Sequence, residues 1–387
     1  MTTRDAMIAV RLGFMPSSEA IADADHPGLL RAGPRTSGPY GRESVEFHMC
    51  SAMDACRDDT ITPDLLELGF DTVDLSAFEE LQVALRRVAE AGHISDDDAS
   101  AIRASLSGNT LTCSSSATAE VLYIADEGLI MRTSGPNGMA VVGPRPVGMN
   151  DHGAATSIHA DQDVYGTPLK QLMDGRAPAL FRHDSPDGRN ADATLMLVNL
   201  WIPLQQITQP LVLADSRTID RRRHQLRYGL VTTSFLERDD DQSINDIWTF
   251  LHDPGQRWYF RSHMDHTSAY LFNTLSTPHG ACTLPGEAVA EQCYRALEDA
   301  EAAVAADDVN ALCEALDRAV GVETPDDAPL ALRTAIAEMV AVAEEAHRDP
   351  ASVCGEHAHA WSTAAHAARR RVIRMSMELR LVVSISS

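Results

Sequence analysis

The chain has 387 residues, of which 44% are hydrophobic and 23% are charged, a composition that allows a sizeable globular core. Lys and Arg number 32 against 56 Asp and Glu, so the formal net charge is −24. This balance disfavours nucleic acid or an anionic membrane as a partner, because binding to phosphate groups depends on Lys and Arg. Two arginine triplets, at 221–223 and 369–371, are local exceptions. We expect both to form solvated helix faces or ion pairs.

Cysteine usage and the N-terminal segment indicate where the protein works. The seven cysteines include no Cys-x-x-Cys pair, which favours reduced thiols over a disulfide framework. Arg11 interrupts the N-terminal apolar stretch, so no secretory signal is predicted. No apolar run approaches the roughly 20 residues that a membrane-spanning helix needs. We therefore expect a soluble, cytoplasmic protein.

The first two-thirds of the chain mixes one helical segment with short β-like runs. Residues 76–91 predict a helix, with Ser76 and Glu79 as a capping box and Gly92 as the stop. Its apolar positions at helical spacing are Phe78, Leu81, Leu85 and Val88. Five apolar runs bounded by turn residues predict strands at 120–126, 195–204, 210–215, 257–260 and 269–275. Several short strands with little helix between them suggest a sandwich or barrel.

Residues 285–371 form an Ala/Glu-rich block with apolar residues at helical spacing. The pattern predicts four amphipathic helices, which end before the last segment of the chain. Residues 372–385 then alternate with period 2: Arg374, Ser376 and Glu378 share one face, and apolar residues occupy the other. Such alternation is typical of a strand. The chain therefore returns to its sheet, and the helical block is an insertion in the β-domain.

Three regions follow from these changes in pattern. Residues 1–110 are predicted to be an N-terminal mixed α/β region, residues 111–284 with 372–387 the β-core, and residues 285–371 the inserted helical block. Amphipathic helices most often cover one face of a sheet. A lid over the substrate entrance or a homodimer surface is the alternative for this block.

The candidate metal ligands begin with His159 and Asp161. On a strand, residues two apart share a face, so both side chains can converge on one point. A third, distal histidine would complete the two-His-one-carboxylate set that suits non-haem iron(II). The candidates downstream are His183, His224, His252, His263, His266 and His279. His279 is favoured, because it directly follows a β-like run that can hold a ligand rigidly, but spacing alone leaves the others open.

Arg374 and Ser376 form a second candidate constellation, on the last predicted strand. A guanidinium can bind a carboxylate through two hydrogen bonds, and a neighbouring hydroxyl can add a third. The alternative is an ordinary strand with one solvated polar face.

These motifs together resemble a known family of iron(II)/2-oxoglutarate oxygenases with a double-stranded β-helix (jelly-roll) fold. The family includes the cephamycin methoxylation protein, fungal gibberellin-desaturase-like enzymes and meroterpenoid oxygenases. The segments that carry the resemblance are IHADQD (158–163), NLWIPLQQITQPLVLADSRTI (199–219), WYFRSHM (258–264), PHGA (278–281) and RMSMELR (374–380). Two features depart from the family: Arg374 lies 95 positions after His279, and Ile202 stands where relatives often carry a basic residue.

The resemblance implies an α+β fold in which a jelly-roll core carries flanking helices and the inserted helical block. It implies that iron(II) is held by His159, Asp161 and His279, and that Arg374, assisted by Ser376, anchors the distal carboxylate of 2-oxoglutarate. If the register of the last strand differs, Arg380 is the alternative anchor. Asn199 and Trp201 are expected to line or support the cofactor pocket.

The implied reaction consumes O2 and 2-oxoglutarate, releases succinate and CO2, and oxidises a C–H bond of a small secondary metabolite. Hydroxylation, desaturation and cyclisation, including endoperoxide formation, all fit. Asp161 argues against halogenation, because iron halogenases of this type lack the carboxylate ligand. Two other functions stay open: a metal enzyme of the same fold that does not use 2-oxoglutarate, and a non-catalytic barrel whose helical block binds a partner.

Overall fold

A computed structural model describes residues 7–33, 45–57, 62–125, 128–143, 148–166, 173–205, 208–231 and 244–386. The strands of the first half are β1 (Met7–Phe14), β2 (Ala20–Ala22), β3 (Leu30–Ala32), β4 (Glu46–Asp54), β5 (Phe70–Asp74), β6 (Thr110–Thr112), β7 (Thr118–Ile124), β8 (Ile130–Ser134), β9 (His159–Ala160), β10 (His183–Ser185) and β11 (Gly188–Asn190). The remaining strands are β12 (Leu195–Pro203), β13 (Leu211–Ala214), β14 (Gln225–Val231), β15 (Ile244–Phe250), β16 (Trp258–Phe260), β17 (Ser268–Asn273), β18 (His279–Ala281) and β19 (Arg374–Ser386).

Eight of these strands form two antiparallel four-stranded arrays, which belong to different sheets. One array has the order β8-β19-β12-β17 and the other β9-β18-β13-β16. Along the chain the strands switch repeatedly from one array to the other, so strands distant in sequence become neighbours. This is the topology of a jelly roll, or double-stranded β-helix. The predicted α+β fold with a jelly-roll core is confirmed.

Further strands widen both sheets beyond this core. The sheet that contains β9 gains β4 and β1 beside β16, and β15, β14, β3 and β2 beyond β9, for a total of ten strands. The other sheet gains β5, β7 and β6 and has seven strands. A short hairpin, β10-β11, stands apart from both.

Helices cover the outer face of each sheet. The helices are α1 (Glu79–Ala91), α2 (Asp96–Leu106), α3 (Ala177–Leu180), α4 (Arg221–His224), α5 (Glu287–Ala305), α6 (Val309–Leu316), α7 (Leu330–Arg348), α8 (Pro350–Cys354) and α9 (Ala358–Arg370). Helices α1 and α2 pack on the seven-stranded sheet, where Leu85 and Ile102 meet alternate residues of β19 such as Met377 and Leu379. The inner face of β19 therefore carries its polar residues.

The inserted helices α5–α9 lie between β18 and β19 and pack on the outer face of the ten-stranded sheet. Leu297, Ile336 and Trp361 share one apolar cluster with Ile158 and Val212 of the sheet. Burial of these apolar stripes holds the helices on the sheet. The helical block thus follows the packing arrangement expected of amphipathic helices, on the side of the sheet away from its polar interior.

The elements predicted from the sequence lie within a few residues of those in the structure. All five predicted strands form, although residue 126 of the first lies outside the described residues. The first predicted helix begins at Glu79 rather than at Ser76, and Gly92 ends it with a φ of 74°. Ion pairs form in both arginine triplets, as one of the two predicted alternatives: Arg221 pairs with Asp184 and Arg369 with Glu301.

All seven cysteines are described and none forms a disulfide. Among the described residues, no helix has both the length and the apolar character required to cross a membrane.

Candidate metal centre

His159, Asp161 and His279 come together between the two sheets. His159 lies on β9 and His279 on β18, and strand pairing places them directly opposite each other. Asp161 comes directly after β9, two residues beyond His159, so its carboxylate points to the same place as the His159 imidazole. One potential ligand atom from each residue lies within 4.8 Å of the others. Antiparallel pairing thus joins residues 120 positions apart in sequence.

Hydrogen bonds fix the tautomer of both imidazoles. His159 Nδ1 lies 2.9 Å from the carbonyl oxygen of Ser157, and His279 Nδ1 lies 3.0 Å from that of Thr277. A carbonyl oxygen can only accept, so each Nδ1 carries a proton, and in the neutral imidazole Nε2 then offers the lone pair. Both Nε2 atoms face Asp161, at 3.5 Å for His159 and 3.8 Å for His279. This backbone-supported arrangement is typical of histidine metal ligands.

The charges of the cluster also suit a cation. Burial, followed by the nearby His159, lowers the pKa of His279 to about 4, so this imidazole is neutral at neutral pH. Burial opposes ionisation of Asp161, but His279, His159 and Arg380 hold the pKa of its carboxyl well below the usual range. Two imidazoles and one carboxylate form the donor set of non-haem iron(II) centres. The residues present therefore fit the predicted metal.

Two side chains of the facing sheet hold Asp161 in place. Asn199 Nδ2 donates to Asp161 Oδ2 at 2.6 Å, and Arg380 Nη2 lies 3.8 Å from the same oxygen. Asn199 and Arg380 are register partners on β12 and β19. Both side chains contact Oδ2 of Asp161, so Oδ1 is the oxygen that can bind a metal. Asn199, named from the sequence as a residue of the pocket, contacts a candidate ligand directly.

Arg374 and Ser376 lie farther along the inner face of β19. Both are buried, at 2% and 0% exposure. Within the described part of the chain, Arg374 Nε and Nη1 and Ser376 Oγ have no hydrogen-bond partner, and Arg374 makes no salt bridge. Burial, and then the neighbouring Arg132, lower the pKa of Arg374 to about 10. Glu378 and Glu287 oppose this shift, but neither forms a salt bridge with Arg374. A buried cation without such a pairing is costly, and a bound anion would reduce that cost.

Arg132 and Trp201 complete the interior near Arg374. Arg132 Nε donates to Glu378 Oε1 at 2.7 Å, so the carboxylate on the same face of β19 is already paired. Trp201 packs against Tyr270, with ring centroids 5.7 Å apart, in an apolar cluster of the inner sheet faces. Trp201 Nε1 has no hydrogen-bond partner among the described residues. The contacts of Trp201 in the interior are therefore apolar ones.

The other candidate histidines lie outside the cluster. His252 stacks on His48 with centroids 4.0 Å apart, and His224 faces Asp253 at 3.6 Å. His183 lies on β10, and His263 and His266 border a separate cavity at the edge of α1. In the described part of the chain, His159, Asp161 and His279 form the one group of three potential ligands.

A buried ion cluster behind the candidate ligands had no sequence signal. Arg227 donates to Asp163 at 2.5 Å, to Asp187 at 2.6 Å and to Asp23 at 3.1 Å. Its guanidinium also lies 4.9 Å from the ring of Trp248, and Trp248 pairs with the residue that follows His159. The cluster joins four distant segments, so only the folded chain reveals it.

Comparisons with known proteins give one family match and several structural matches. Residues 118–299, which are less than half of the chain, match a family model described as an oxidoreductase/YMDC permease-like domain. A search of curated protein sequences finds no match.

Similar solved structures are those of an "iron and alpha-ketoglutarate-dependent endoperoxidase NvfI". One has 13% identity and a TM-score of 0.49, and a different conformation of the same enzyme has 14% and 0.49. A variant of that enzyme, in which one tryptophan is replaced by phenylalanine, has 14% identity and a TM-score of 0.44. Each comparison covers 98% of both chains.

Proposed function

We propose that this protein is an iron(II)/2-oxoglutarate-dependent dioxygenase that oxidises a C–H bond of a small secondary metabolite. The observation that carries the proposal is the convergence of His159, Asp161 and His279 in the same interior as the unpaired, buried Arg374. The first set can hold the metal, and the arginine can hold a carboxylate.

Each residue has a defined part in this proposal. His159 Nε2, His279 Nε2 and Asp161 Oδ1 would hold the iron. Arg374 and Ser376 bind the distal carboxylate of 2-oxoglutarate through charge-assisted hydrogen bonds. Arg380 is less suited to this task, because its guanidinium already faces Asp161. Asn199 keeps the Asp161 carboxylate oriented, and the cluster around Trp201 keeps water from the interior.

Bound iron, O2 and 2-oxoglutarate would supply the oxidising chemistry, with succinate and CO2 as products. The protein's own contribution is to orient both reactants and to exclude competing water. The substrate is proposed to be a natural-product intermediate, and hydroxylation, desaturation and cyclisation all fit this centre. A cytoplasmic location and a homodimer through helices α5–α9 stay predictions from the sequence.

The alternative of a metal enzyme that does not use 2-oxoglutarate makes a different prediction for Arg374. In the proposed enzyme, Arg374→Met retains iron but loses 2-oxoglutarate-dependent succinate formation at low cosubstrate concentration. One charge-assisted carboxylate contact is worth about 1.5–3 kcal/mol, roughly a 10- to 100-fold rise in the 2-oxoglutarate Kd. An unchanged Kd for 2-oxoglutarate would favour the alternative.

Removal of the ligands tests the metal centre itself. His159→Ala/Asp161→Ala should abolish stoichiometric iron(II) binding and O2-dependent succinate formation, because one remaining imidazole cannot hold the ion. His263→Ala is the matched control, since this exposed histidine lies outside the cluster. Iron content is measured after anaerobic loading and desalting. Full biological activity in the double variant would instead support a non-catalytic barrel.

A further inference from the structure

A second polar cavity lies apart from the metal centre and is lined by arginines. This arginine pocket has a volume of about 310 Å3, and its cationic lining residues are Arg182, Arg189, Arg217 and Arg221. None of the candidate metal ligands lines it. In a chain of net charge −24, four arginines around one cavity are unusual, because like charges repel unless a counter-charge joins them.

Neighbouring acids neutralise only part of this charge. Arg217 is bound by Asp215 through two hydrogen bonds of 2.9 Å, and Arg221 Nε donates to Asp184 at 3.1 Å. Arg182, by contrast, donates to the backbone carbonyls of Ala191 and Leu66. Arg189 is exposed and has no carboxylate partner among the described residues. Two of the four guanidinium groups therefore have no counter-ion there.

Arg221 is held rigidly at the wall of this pocket. The residue is 8% exposed, and its Nη1 donates to Gln225 Oε1 and to the carbonyl of Ser276, both at 2.9 Å. Its Nη2 has no partner in the described part of the chain. Because Arg221 is fixed in position and has one unused donor, it can donate a hydrogen bond to a planar or tetrahedral oxyanion.

Two other polar atoms of the lining also lack a partner among the described residues. These are Ser216 Oγ and His183 Nδ1. His183 Nε2 lies 3.1 Å from the carbonyl oxygen of Pro178, so it carries the proton and Nδ1 is an acceptor. Buried polar atoms normally find partners. Three unpaired atoms around one cavity point to a ligand that both accepts and donates hydrogen bonds.

We propose that the arginine pocket binds a small oxyanion, either a phosphate group or a hydroxylated carboxylate. The oxygens of such an anion accept from Arg182, Arg221 and Ser216, and its hydroxyl donates to His183. The volume lies at the small end of ligand pockets, which admits a compact metabolite and excludes a polymer.

The pocket is connected to the metal centre through one turn. Arg221 holds the carbonyl of Ser276, and the adjacent carbonyl of Thr277 accepts from His279 Nδ1. A bound anion would therefore order the turn that orients one candidate iron ligand. Binding at the pocket does not itself require metal, so it can be tested apart from the proposed oxygenase activity.

Calorimetric titration of the metal-free protein with inorganic phosphate and with citrate, at constant ionic strength, tests this proposal. We expect saturable 1:1 binding of at least one of these anions. Tighter binding of phosphate would indicate a phosphate ligand, and tighter binding of citrate would indicate a hydroxylated carboxylate. Arg189→Glu should weaken the Kd at least 10-fold and leave the fold intact, because this side chain is exposed. Arg182→Met should weaken it similarly.

The controls separate this pocket from the surface and from the metal centre. Arg223→Ala, which removes an exposed arginine of α4 outside the pocket, should leave the Kd unchanged. Asp161→Ala should also bind the anion normally. Absence of saturable binding would overturn the proposal, as would an equal Kd in wild type, Arg189→Glu and Arg182→Met.

Discussion

At the scale of single residues, the two oxygens of Asp161 have different surroundings. Oδ2 accepts from Asn199 and faces Arg380, whereas Oδ1 lies nearer His159. A carboxylate held in this way can bind a metal through one oxygen, while the contacts of the other oxygen keep the side chain in position. Residues that orient a ligand in this manner commonly contribute roughly 10- to 100-fold to metal affinity.

Asn199→Ala should therefore weaken iron(II) binding by about 10- to 100-fold while the three ligands remain. The affinity is measured by competition with a chelator under anaerobic conditions. Asn150→Ala serves as the control, because this asparagine donates to the Ile94 carbonyl and not to a candidate ligand. Equal iron affinities in the two variants would contradict the assigned part of Asn199.

Residues of the candidate centre could be predicted where side chains of suitable chemistry stand two residues apart, as the period of a strand requires. His159 and Asp161 occupy one short motif, and Arg374 and Ser376 stand two apart on a clearly alternating strand. His279 needed the family resemblance, because several histidines had acceptable spacing. Arg227 and its three carboxylates could not be found, since no local period links residues that only tertiary packing brings together.

At the scale of elements, the Arg227 cluster fixes the loop that follows β9. Asp163 belongs to that loop, Asp23 follows β2, and Asp187 lies in the β10-β11 turn. Arg227 itself is 2% exposed. Removal of the cation that all three share would leave three close carboxylates, of which, among the described residues, Asp23 alone has another arginine nearby, Arg31 at 3.8 Å.

Arg227→Met should reduce the free energy of unfolding by about 3–5 kcal/mol, the usual cost of breaking a buried ion pair. Urea denaturation monitored by circular dichroism measures this change. Arg318→Met is the matched control, since the exposed Arg318–Asp299 pair should contribute less than about 1 kcal/mol. Similar losses in both variants would show that the Arg227 cluster does not stabilise the fold.

Glu287 at the first turn of α5 is a second buried group with a measurable consequence. It accepts from the backbone N–H of Leu284 at 2.7 Å and of Asn137 at 2.8 Å. Burial raises the pKa of Glu287 from 4.5 to about 7, although Arg374 and Arg11 face it and oppose the shift, and the Cys282 thiol lies nearby. The folded protein therefore binds this proton more tightly than the unfolded chain does.

The sign of the pH effect follows from this raised pKa. The contribution of this group to stability is highest below its unfolded pKa of 4.5 and falls as pH rises toward 7, since ionisation costs the folded state. Glu287→Gln cannot ionise, so its stability relative to wild type should be greater at pH 8.5 than at pH 5 by on the order of 3 kcal/mol. Paired urea denaturations measure this, with exposed Glu314→Gln as control. A pH-independent difference would contradict it.

At the scale of the whole molecule, the jelly roll explains how a site can be built from distant segments. Strands β9, β12, β18 and β19 alternate between two sheets, and their inner faces meet at the candidate centre. The 94 residues between His279 and Arg374 do not disturb this arrangement, because helices α5–α9 pack outside the ten-stranded sheet. The predicted division into three regions remains an interpretation of the sequence.

The N-terminal part was the least predictable from sequence, for a physical reason. Strand β4 exposes Phe47 and Met49, at 50% and 67%, while it buries the smaller Cys50 and Ala52. The positions of its large apolar residues therefore predict the wrong face of β4 as the buried one. Helix α2 carries only Ile102 and Leu106 as large buried residues, too few for a recognisable stripe. The core strands, buried on both sides, gave a much clearer signal.

The most direct test of the central claim is the visible absorption of the protein under anaerobic conditions. Addition of iron(II) and then 2-oxoglutarate should produce the weak metal-to-ligand charge-transfer band of this enzyme class. The band should be absent in His159→Ala/Asp161→Ala and should require more 2-oxoglutarate in Arg374→Met. Wild-type protein that binds iron(II) but shows no band at saturating 2-oxoglutarate would contradict the proposed function.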